Sequence, residues 1–242
     1  MELKDRAALI TGASSGIGLE IARMLASEGA NLALAARSVD KLERVATDLA
    51  ATGASLIVVP ADVTQEADCQ ALVQATVDAF GAIDILINNA GYAPPARLLD
   101  TTEAIWDVTI AVCLKGVYLM TRAAVARMLE RGGGTIVNIS SVAGKYGFEN
   151  RTAYCAAKWG VHGFTEALRA ELGSQNIRAH LICPAAVATP WWDTGHNPQP
   201  EEVMQRMIRP EEVAEAVRWV LTQPERLQID EVVIKTRRSP WE

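Results

Sequence analysis

Tyr154 and Lys158 stand four residues apart, which places both on one face of a helix. A free tyrosine hydroxyl, with a pKa of about 10, is a poor acid or base at neutral pH. A nearby ammonium favours the phenolate and is expected to lower that pKa. Such a tyrosine can give a proton to a carbonyl oxygen, or take one from an alcohol, while a hydride moves. Thirteen residues earlier, Ser141 closes an apolar run, and its hydroxyl is suited to hold the same oxygen. Taken alone, a Tyr/Lys pair at this spacing is usually a surface feature. Its combination with Ser141 and a glycine-rich turn gives it meaning here.

That turn is Thr11-Gly12-Ala13-Ser14-Ser15-Gly16-Ile17-Gly18, between the first apolar run and the first amphipathic stretch. Glycines let the backbone turn sharply and approach a ligand closely. The helix that follows offers free N–H groups and a positive dipole end to a pyrophosphate. A plain strand-to-helix connection also uses glycines, and Gly-x3-Gly-x-Gly is not the commoner dinucleotide spacing. The end of the second apolar run is where a dinucleotide fold reads the adenosine ribose. An acid there would bind the 2′-hydroxyl of NAD, but the residues are Ala36 and Arg37. The planar fork of Arg37 matches a 2′-phosphate, and Lys41 adds charge, which favours NADP(H) over a merely solvated arginine. Asp62-Val63 follows the third run and either caps the next helix or meets the adenine amino group. Asn88-Asn89-Ala90-Gly91 ends the fourth, as a cofactor-hugging segment or a simple turn.

These residues need elements that bring them together. Apolar runs at 7–11, 31–36, 55–59, 83–88, 135–140, 178–183 and 231–235 alternate with helical patterns at 17–28, 39–52, 65–80, 102–131, 153–173 and 210–222. Continuous apolar strands indicate a sheet covered on both faces, and strand–helix alternation demands parallel pairing. The expectation is a doubly wound α/β sheet forming one domain over 1–242, with ligands outside the C-terminal strand ends. An irregular stretch from Pro184 to Arg209 carries Pro184, Pro190, Pro198 and Pro200 around Trp191 and Trp192. Its length marks about 185–209 as a lid-like substrate loop with an aromatic wall.

Composition narrows the partners. The 242 residues, half of them hydrophobic and 21% charged, suit a globular fold with a sizeable core. A net charge of −6 and a pI near 5.2 argue against nucleic acid and anionic membranes. The charged start Met1-Glu2-Leu3-Lys4-Asp5-Arg6 has no signal-peptide core, and the apolar runs are short of a membrane span. A cytoplasmic protein is therefore expected, with Cys69, Cys113, Cys155 and Cys183 as reduced thiols lacking any CxxC pair. His162, His180 and His196 show no ligand spacing, so no metal is expected. Cys155, beside Tyr154, is read as a small packing residue rather than a redox group.

TGASSGIG (11–18), NNAG (88–91), NISS (138–141) and YCAAK (154–158) together resemble the short-chain dehydrogenase/reductase family, in its short single-domain branch. The resemblance runs over essentially the full length. It implies a Rossmann-like sheet of seven parallel strands, a catalytic Ser141, Tyr154 and Lys158, NADP(H) as cofactor, and a homo-oligomer, tetramer or dimer. It implies a cofactor surface of Gly12, Ser14, Ser15, Gly16, Ile17, Gly18, Arg37, Asp62, Val63, Asn89, Ala90, Gly91, Tyr154, Lys158, Pro184, Val187 and Thr189. The expected reaction interconverts a small-molecule ketone and a secondary alcohol. Reduction of a 3-oxoacyl thioester and a non-catalytic NADP(H) sensor are the alternatives, while a nucleotide-sugar epimerase would need an added substrate domain. Two positions depart from the pattern. Cys113 stands where the family's fourth catalytic residue is an asparagine, which leaves a backbone role open and removes the amide's hydrogen bonds. Pro184-Ala185 replaces the usual Pro-Gly and adds a methyl beside the nicotinamide.

Overall fold

In the computed structural model the chain is described over residues 2–194 and 197–241. His196 and part of the expected lid lie outside the described residues. Seven strands form one sheet: β1 (Ala7–Thr11), β2 (Asn31–Ala36), β3 (Leu56–Pro60), β4 (Ile85–Asn88), β5 (Gly134–Ile139), β6 (Ile177–Pro184) and β7 (Glu231–Ile234). Every neighbouring pair is parallel, in the order β3-β2-β1-β4-β5-β6-β7. The order reverses between β1 and β4, and such a switch point opens a crevice at the carboxyl ends of the strands.

The helices are α1 (Gly16–Ser27), α2 (Val39–Ala50), α3 (Glu66–Phe80), α4 (Glu103–Ile110), α5 (Gly116–Arg131), α6 (Thr152–Leu172), α7 (Trp191–Thr194), α8 (Glu201–Met204) and α9 (Pro210–Thr222). Alternate residues of each strand point to opposite faces, so the apolar runs feed two cores at once. On one face Ala8, Ile10, Leu32, Leu34, Ile85 and Ile87 pack with Ile21 and Leu25 of α1, Leu42 of α2 and Val217 of α9. On the other, Leu9, Ala33, Leu86 and Ile136 pack with Leu72 of α3, Met120 and Met128 of α5, and Leu168 of α6. Each fully buried Leu or Ile is worth roughly 1.5–3 kcal/mol relative to exposure, so the uninterrupted runs stabilise the sheet from both sides.

Two expectations change in detail. The pattern over 102–131 predicts one regular helix, but a wider π-type turn, Ala111–Lys115, joins α4 to α5. At its far end the Gly116 N–H reaches back to the Ala111 carbonyl. The whole stretch Glu103–Arg131 is long and apolar enough to cross a membrane by length and composition, although no single apolar run in it is. Its apolar side is spent within the fold, where Leu119, Met120, Ala124 and Met128 are buried against the sheet and its neighbours. The irregular 185–209 stretch contains the short helices α7 and α8. Trp192, Val203 and Met207 form a small apolar cluster of their own beneath it.

A chain of buried polar side chains ties the centre of the sheet to the helices. Asn88 on β4 donates to Thr121 on α5 (2.9 Å) and to Asn138 on β5 (2.9 Å). Asn138 donates in turn to Thr165 on α6 (2.8 Å), whose hydroxyl donates to the Val161 carbonyl (2.7 Å). Asn88 Oδ1 has no partner among the described residues, but the bonds made by the two amide nitrogens and the Thr165 hydroxyl are directional and fix how α6 lies on the strands.

His180 on β6 is fully buried; its Nδ1 donates to the Ile229 carbonyl at 2.6 Å, and Nε2 has no partner among the described residues. Burial holds its pKa down to about 4. The unfolded chain takes up a proton near its free pKa of about 6.5, whereas the folded ring resists it. Stability is thus full above about 6.5 and falls as pH drops toward 4, by on the order of 3 kcal/mol. Thermal unfolding followed from pH 7 to pH 4 should show this slope, and His180→Asn should flatten it.

Candidate active site

The glycine turn leaves β1 at Thr11 with Gly12 at φ 65°, a backbone region open to glycine at little cost. Gly18 lies against the same turn: a methyl there would meet the Gly12 carbonyl at 2.3 Å and Asn89 Nδ2 at 2.4 Å. Asn89 donates from Nδ2 to the carbonyls of Thr11 and Gly12, both at 3.1 Å. The Thr11 hydroxyl accepts from the N–H groups of Asn89 (3.0 Å) and Ala90 (3.1 Å) and donates to Ile87 O (3.3 Å). The turn and the NNAG segment are therefore knotted across the switch point. Ser15 precedes α1 without capping it by its side chain, so the first-turn N–H groups face outward with no side-chain partner. This cradle of close-approaching backbone at a helix N-terminus fits a dinucleotide pyrophosphate.

The other cofactor candidates surround that cradle. Ser14, Gly16 and Ile17 are part-buried around the turn, and Gly91 is exposed beyond Ala90. Arg37 is exposed just past β2, with Lys41 one turn into α2. Asp62 Oδ1 accepts from the N–H and hydroxyl of Thr64 (2.9 and 2.8 Å), a local turn ahead of α3, whose N-cap is Gln65 and not Asp62. Val63 is buried against Gly116 of α5, where a methyl would come within 2.8 Å of it. Thr189 is buried and packs against Gly16. The Val187 carbonyl accepts from Trp192 Nε1 at 2.8 Å, which anchors the lid helix α7 beside it. At the other departure from the family pattern, the Ala185 N–H bonds Ile234 O at 2.9 Å. Ala185 keeps negative φ, so the added methyl leaves the β6–β7 pairing intact.

Ser141, Tyr154 and Lys158 come together at the ends of β5 and β6. Ser141 Oγ accepts from Ala143 N (3.1 Å) and donates weakly to Pro184 O (3.4 Å). Lys158 is buried, and Nζ donates to Ile139 O at 2.8 Å, leaving two of its three donors for other partners. Nζ lies 5.7 Å from the centre of the Tyr154 ring. Burial pushes the Lys158 pKa down.

The expected lowering of the Tyr154 pKa does not occur. Burial raises it well above its ordinary value; contact with Ser141 and the charge of Arg151 pull only partly the other way. The physical reason is that desolvation of a phenolate outweighs a cation held across the ring face rather than at the oxygen. Tyr154 is thus a neutral hydroxyl.

Cys113 sits in the π-type turn, fully buried, and its Sγ donates to the Tyr92 carbonyl at 3.3 Å. Burial raises its pKa, so it remains an uncharged thiol. The thiol therefore holds the segment after NNAG instead of presenting an amide to the site. Cys155 is part-buried, its Sγ 3.8 Å from the Tyr146 carbonyl, in keeping with a packing role. His162, Cys183 and Glu231 have ligand atoms within 4.8 Å of one another, a grouping that their wide sequence spacing conceals. Glu231 there is already paired with Lys145 at 2.7 Å, which supplies the cluster's positive charge.

A model of the family described as short chain dehydrogenase matches residues 6–199. The chain belongs to the short-chain dehydrogenase family. It is 37% identical over 233 residues to an uncharacterized oxidoreductase of Staphylococcus aureus (strain MRSA252), covering 96% of this chain and 98% of the relative. It is similar to an alcohol dehydrogenase from the archaeon Thermococcus sibiricus complexed with 5-hydroxy-NADP, with a TM-score of 0.88, 30% identity, and 96% and 97% of the two chains covered. A metagenomic short-chain oxidoreductase in complex with NADP gives a TM-score of 0.84 at 34% identity, covering 97% of this chain and 98% of that one.

In this short-chain dehydrogenase, three contributors escaped sequence reasoning. Thr11 acts through its hydroxyl on the NNAG backbone, Ile139 through its carbonyl on Lys158, and Arg151 through its charge beside Tyr154. Thr11 and Ile139 lie inside motifs read from the sequence, but their partners are set by the fold.

Gly18→Ala should force the Gly12–Asn89 knot apart, at a cost of about 1–3 kcal/mol, the usual range for overpacking. Unfolding midpoints together with NADPH fluorescence titration check this. A variant that keeps its cofactor affinity would show that the knot does not shape the cradle.

Proposed function

We propose that this short-chain dehydrogenase is an NADP(H)-dependent oxidoreductase that interconverts a ketone and a secondary alcohol, with Tyr154 as general acid and base. One observation carries this most: a tyrosine hydroxyl kept neutral by burial lies beside Ser141 and the buried Lys158 at the C-terminal strand ends. Bound NADPH supplies the hydride. Ser141 and Tyr154 converge on the carbonyl oxygen, Ser141 orienting it and Tyr154 donating the proton. Lys158, anchored on Ile139 O, has donors left for the nicotinamide ribose and stabilises the phenolate once the proton has left. The turn from Gly12 to Gly18, with Asn89, Ala90 and Gly91, holds the pyrophosphate side, while Asp62 and Val63 flank the adenine. Pro184, Val187 and Thr189 line the nicotinamide side.

Arg37 is assigned the 2′-phosphate. It is exposed, and no acid stands at the end of β2 to bind a 2′-hydroxyl instead. NADP and its 5-hydroxy derivative in the two similar structures support this choice. Cys113 takes the asparagine's place through backbone and packing, its thiol already engaged by Tyr92. We also take the protein to work in the cytoplasm as a homo-oligomer, tetramer or dimer. Exposed Leu98, Leu99 and Trp159 offer apolar area for subunit contact. Burial pushes the Cys69 and Cys183 thiols up to about 11 and about 12, values that suit inert reduced thiols.

Tyr154→Phe should bind NADPH yet lose on the order of 10²–10⁴-fold in ketone reduction. Because the Tyr154 pKa is raised, its proton is present at neutral and mildly alkaline pH. Reduction should therefore hold level there, whereas alcohol oxidation, which needs the deprotonated form, should climb with pH. Rate profiles in both directions read the difference, and a reduction rate already falling at neutral pH would count against Tyr154 as the donor. Arg37→Ala should cut the NADPH-over-NADH preference roughly 10- to 100-fold, the size of a charge-assisted contact. An unchanged preference would remove Arg37 from the cofactor site.

A further inference from the structure

Arg151 stands immediately before α6 and three residues ahead of Tyr154. Its Nη1 donates to the Ala93 carbonyl at 3.0 Å, just beyond the NNAG segment. Its guanidinium lies over the ring of Trp191 at 4.9 Å and near that of Trp192 at 5.9 Å. The Trp191 ring is in turn 6.0 Å from that of Tyr154. Arg151 thus ties together three segments beside Tyr154: the one after β4, the start of α6 and the lid helix α7. A substrate whose oxygen meets Tyr154 lies beside it.

The arginine is part-buried and has no carboxylate partner among the described residues. Its electrostatic neighbours are Tyr154 and Cys155, and neither is a carboxylate. Most other arginines near acids are paired, as Arg169 is with Glu166 and Arg218 with Glu215. Leaving a guanidinium half-desolvated without a counter-ion in a chain of net charge −6 is a cost that a bound anion would remove. Stacking on the two indoles uses the face of the guanidinium, and one N–H goes to Ala93. The remaining N–H groups keep the planar fork geometry that matches a carboxylate.

We infer that Arg151 binds the carboxylate of the substrate, so that the preferred substrates are oxo acids with an apolar or aromatic body lying against Trp191. This rests on the ketone reduction proposed above. The aromatic wall holds the body, Arg151 fixes the acid end, and the two orient the ketone toward Tyr154 and Ser141. A neutral ketone of the same shape keeps the wall contacts and loses the ion pair. Arg151 is in this respect a specificity-determining residue; its charge also acts on the Tyr154 hydroxyl, an effect common to acid and ester.

The test uses benzoylformate, benzoylacetate and 3-benzoylpropionate, each beside its methyl ester, with the full-length NADPH-bound protein. Wild type should favour at least one acid over its ester by tenfold or more in kcat/KM. Arg151→Met keeps an unbranched apolar stem over the indoles and removes the charge. It should lower the acid-over-ester ratio of kcat/KM 10- to 100-fold, chiefly through KM for the acid and beyond any change in rate common to both, and Arg151→Lys should restore part of the preference. A purely structural latch on the lid would instead lower acid and ester together, and that outcome overturns the inference. So does a wild type that treats acids and esters alike while still depending on Tyr154 for turnover, a result that leaves the ketone reductase itself standing. Calorimetric titration of the same pairs into Tyr154→Phe, with and without Arg151→Met, reads the acid preference independently of chemistry. Failure of all turnover with an intact, Arg151-dependent acid preference would sink the proposed reaction and keep the anion site. Equal affinities for acid and ester in that titration would sink the anion site.

Discussion

The hydrogen-bonded line from Asn88 through Asn138 to Thr165 sets the geometry on which the site depends. It crosses from β4 to β5 and then onto α6, the helix that carries Tyr154 and Lys158. Apolar packing alone would hold α6 against the sheet, but hydrophobic contact is non-directional and tolerates sliding along the helix axis. Directional hydrogen bonds between three buried polar side chains do not tolerate it, even with Asn88 Oδ1 left without a partner among the described residues. Lys158 Nζ consequently meets the Ile139 carbonyl at the end of β5, and Ser141 follows two residues later beside Tyr154. At the switch point, the second set of polar ties, Thr11 and Asn89, performs the corresponding task for the glycine turn.

Within that frame, burial and charge compete, and burial prevails at each of the central groups. Tyr154 is raised, Lys158 lowered and Cys113 raised, each with desolvation as the largest cause. Each shift favours the neutral form of its group. A neutral tyrosine is the form needed to protonate a carbonyl oxygen. A lysine that holds its proton less tightly can pass one on more readily, which suits a relay. The thiol at position 113 does not add a charge to this balance. It seals the segment after NNAG from below through Tyr92, inside a π-type turn of the kind that recurs at functional sites.

The lid side follows a different logic from the sheet side. Trp191 and Trp192 meet edge to face at 5.2 Å, and Trp192 meets Trp241 at 6.0 Å, so large aromatic surfaces join a short backbone bridge between Val187 and Ile208 in holding this segment. Such contacts are strong in area yet permissive in angle. Beside them the Arg151 guanidinium, over the Trp191 ring, adds a directional charge.

The sequence by itself determined the doubly wound sheet, the strand that ends at each motif, and the candidate trio of Ser141, Tyr154 and Lys158. These follow from local properties: an uninterrupted apolar run marks a strand covered on both faces, and glycines mark backbone that turns or approaches closely. The tertiary structure alone decided the protonation balance of Tyr154, the engagement of Cys113 by Tyr92, the break in the 102–131 helix, and the Arg151–Trp191 contact. It likewise brought His162, Cys183 and Glu231 within reach of one another. Each of these depends on desolvation or on distances between residues far apart in the chain, and neither quantity is written in residue spacing.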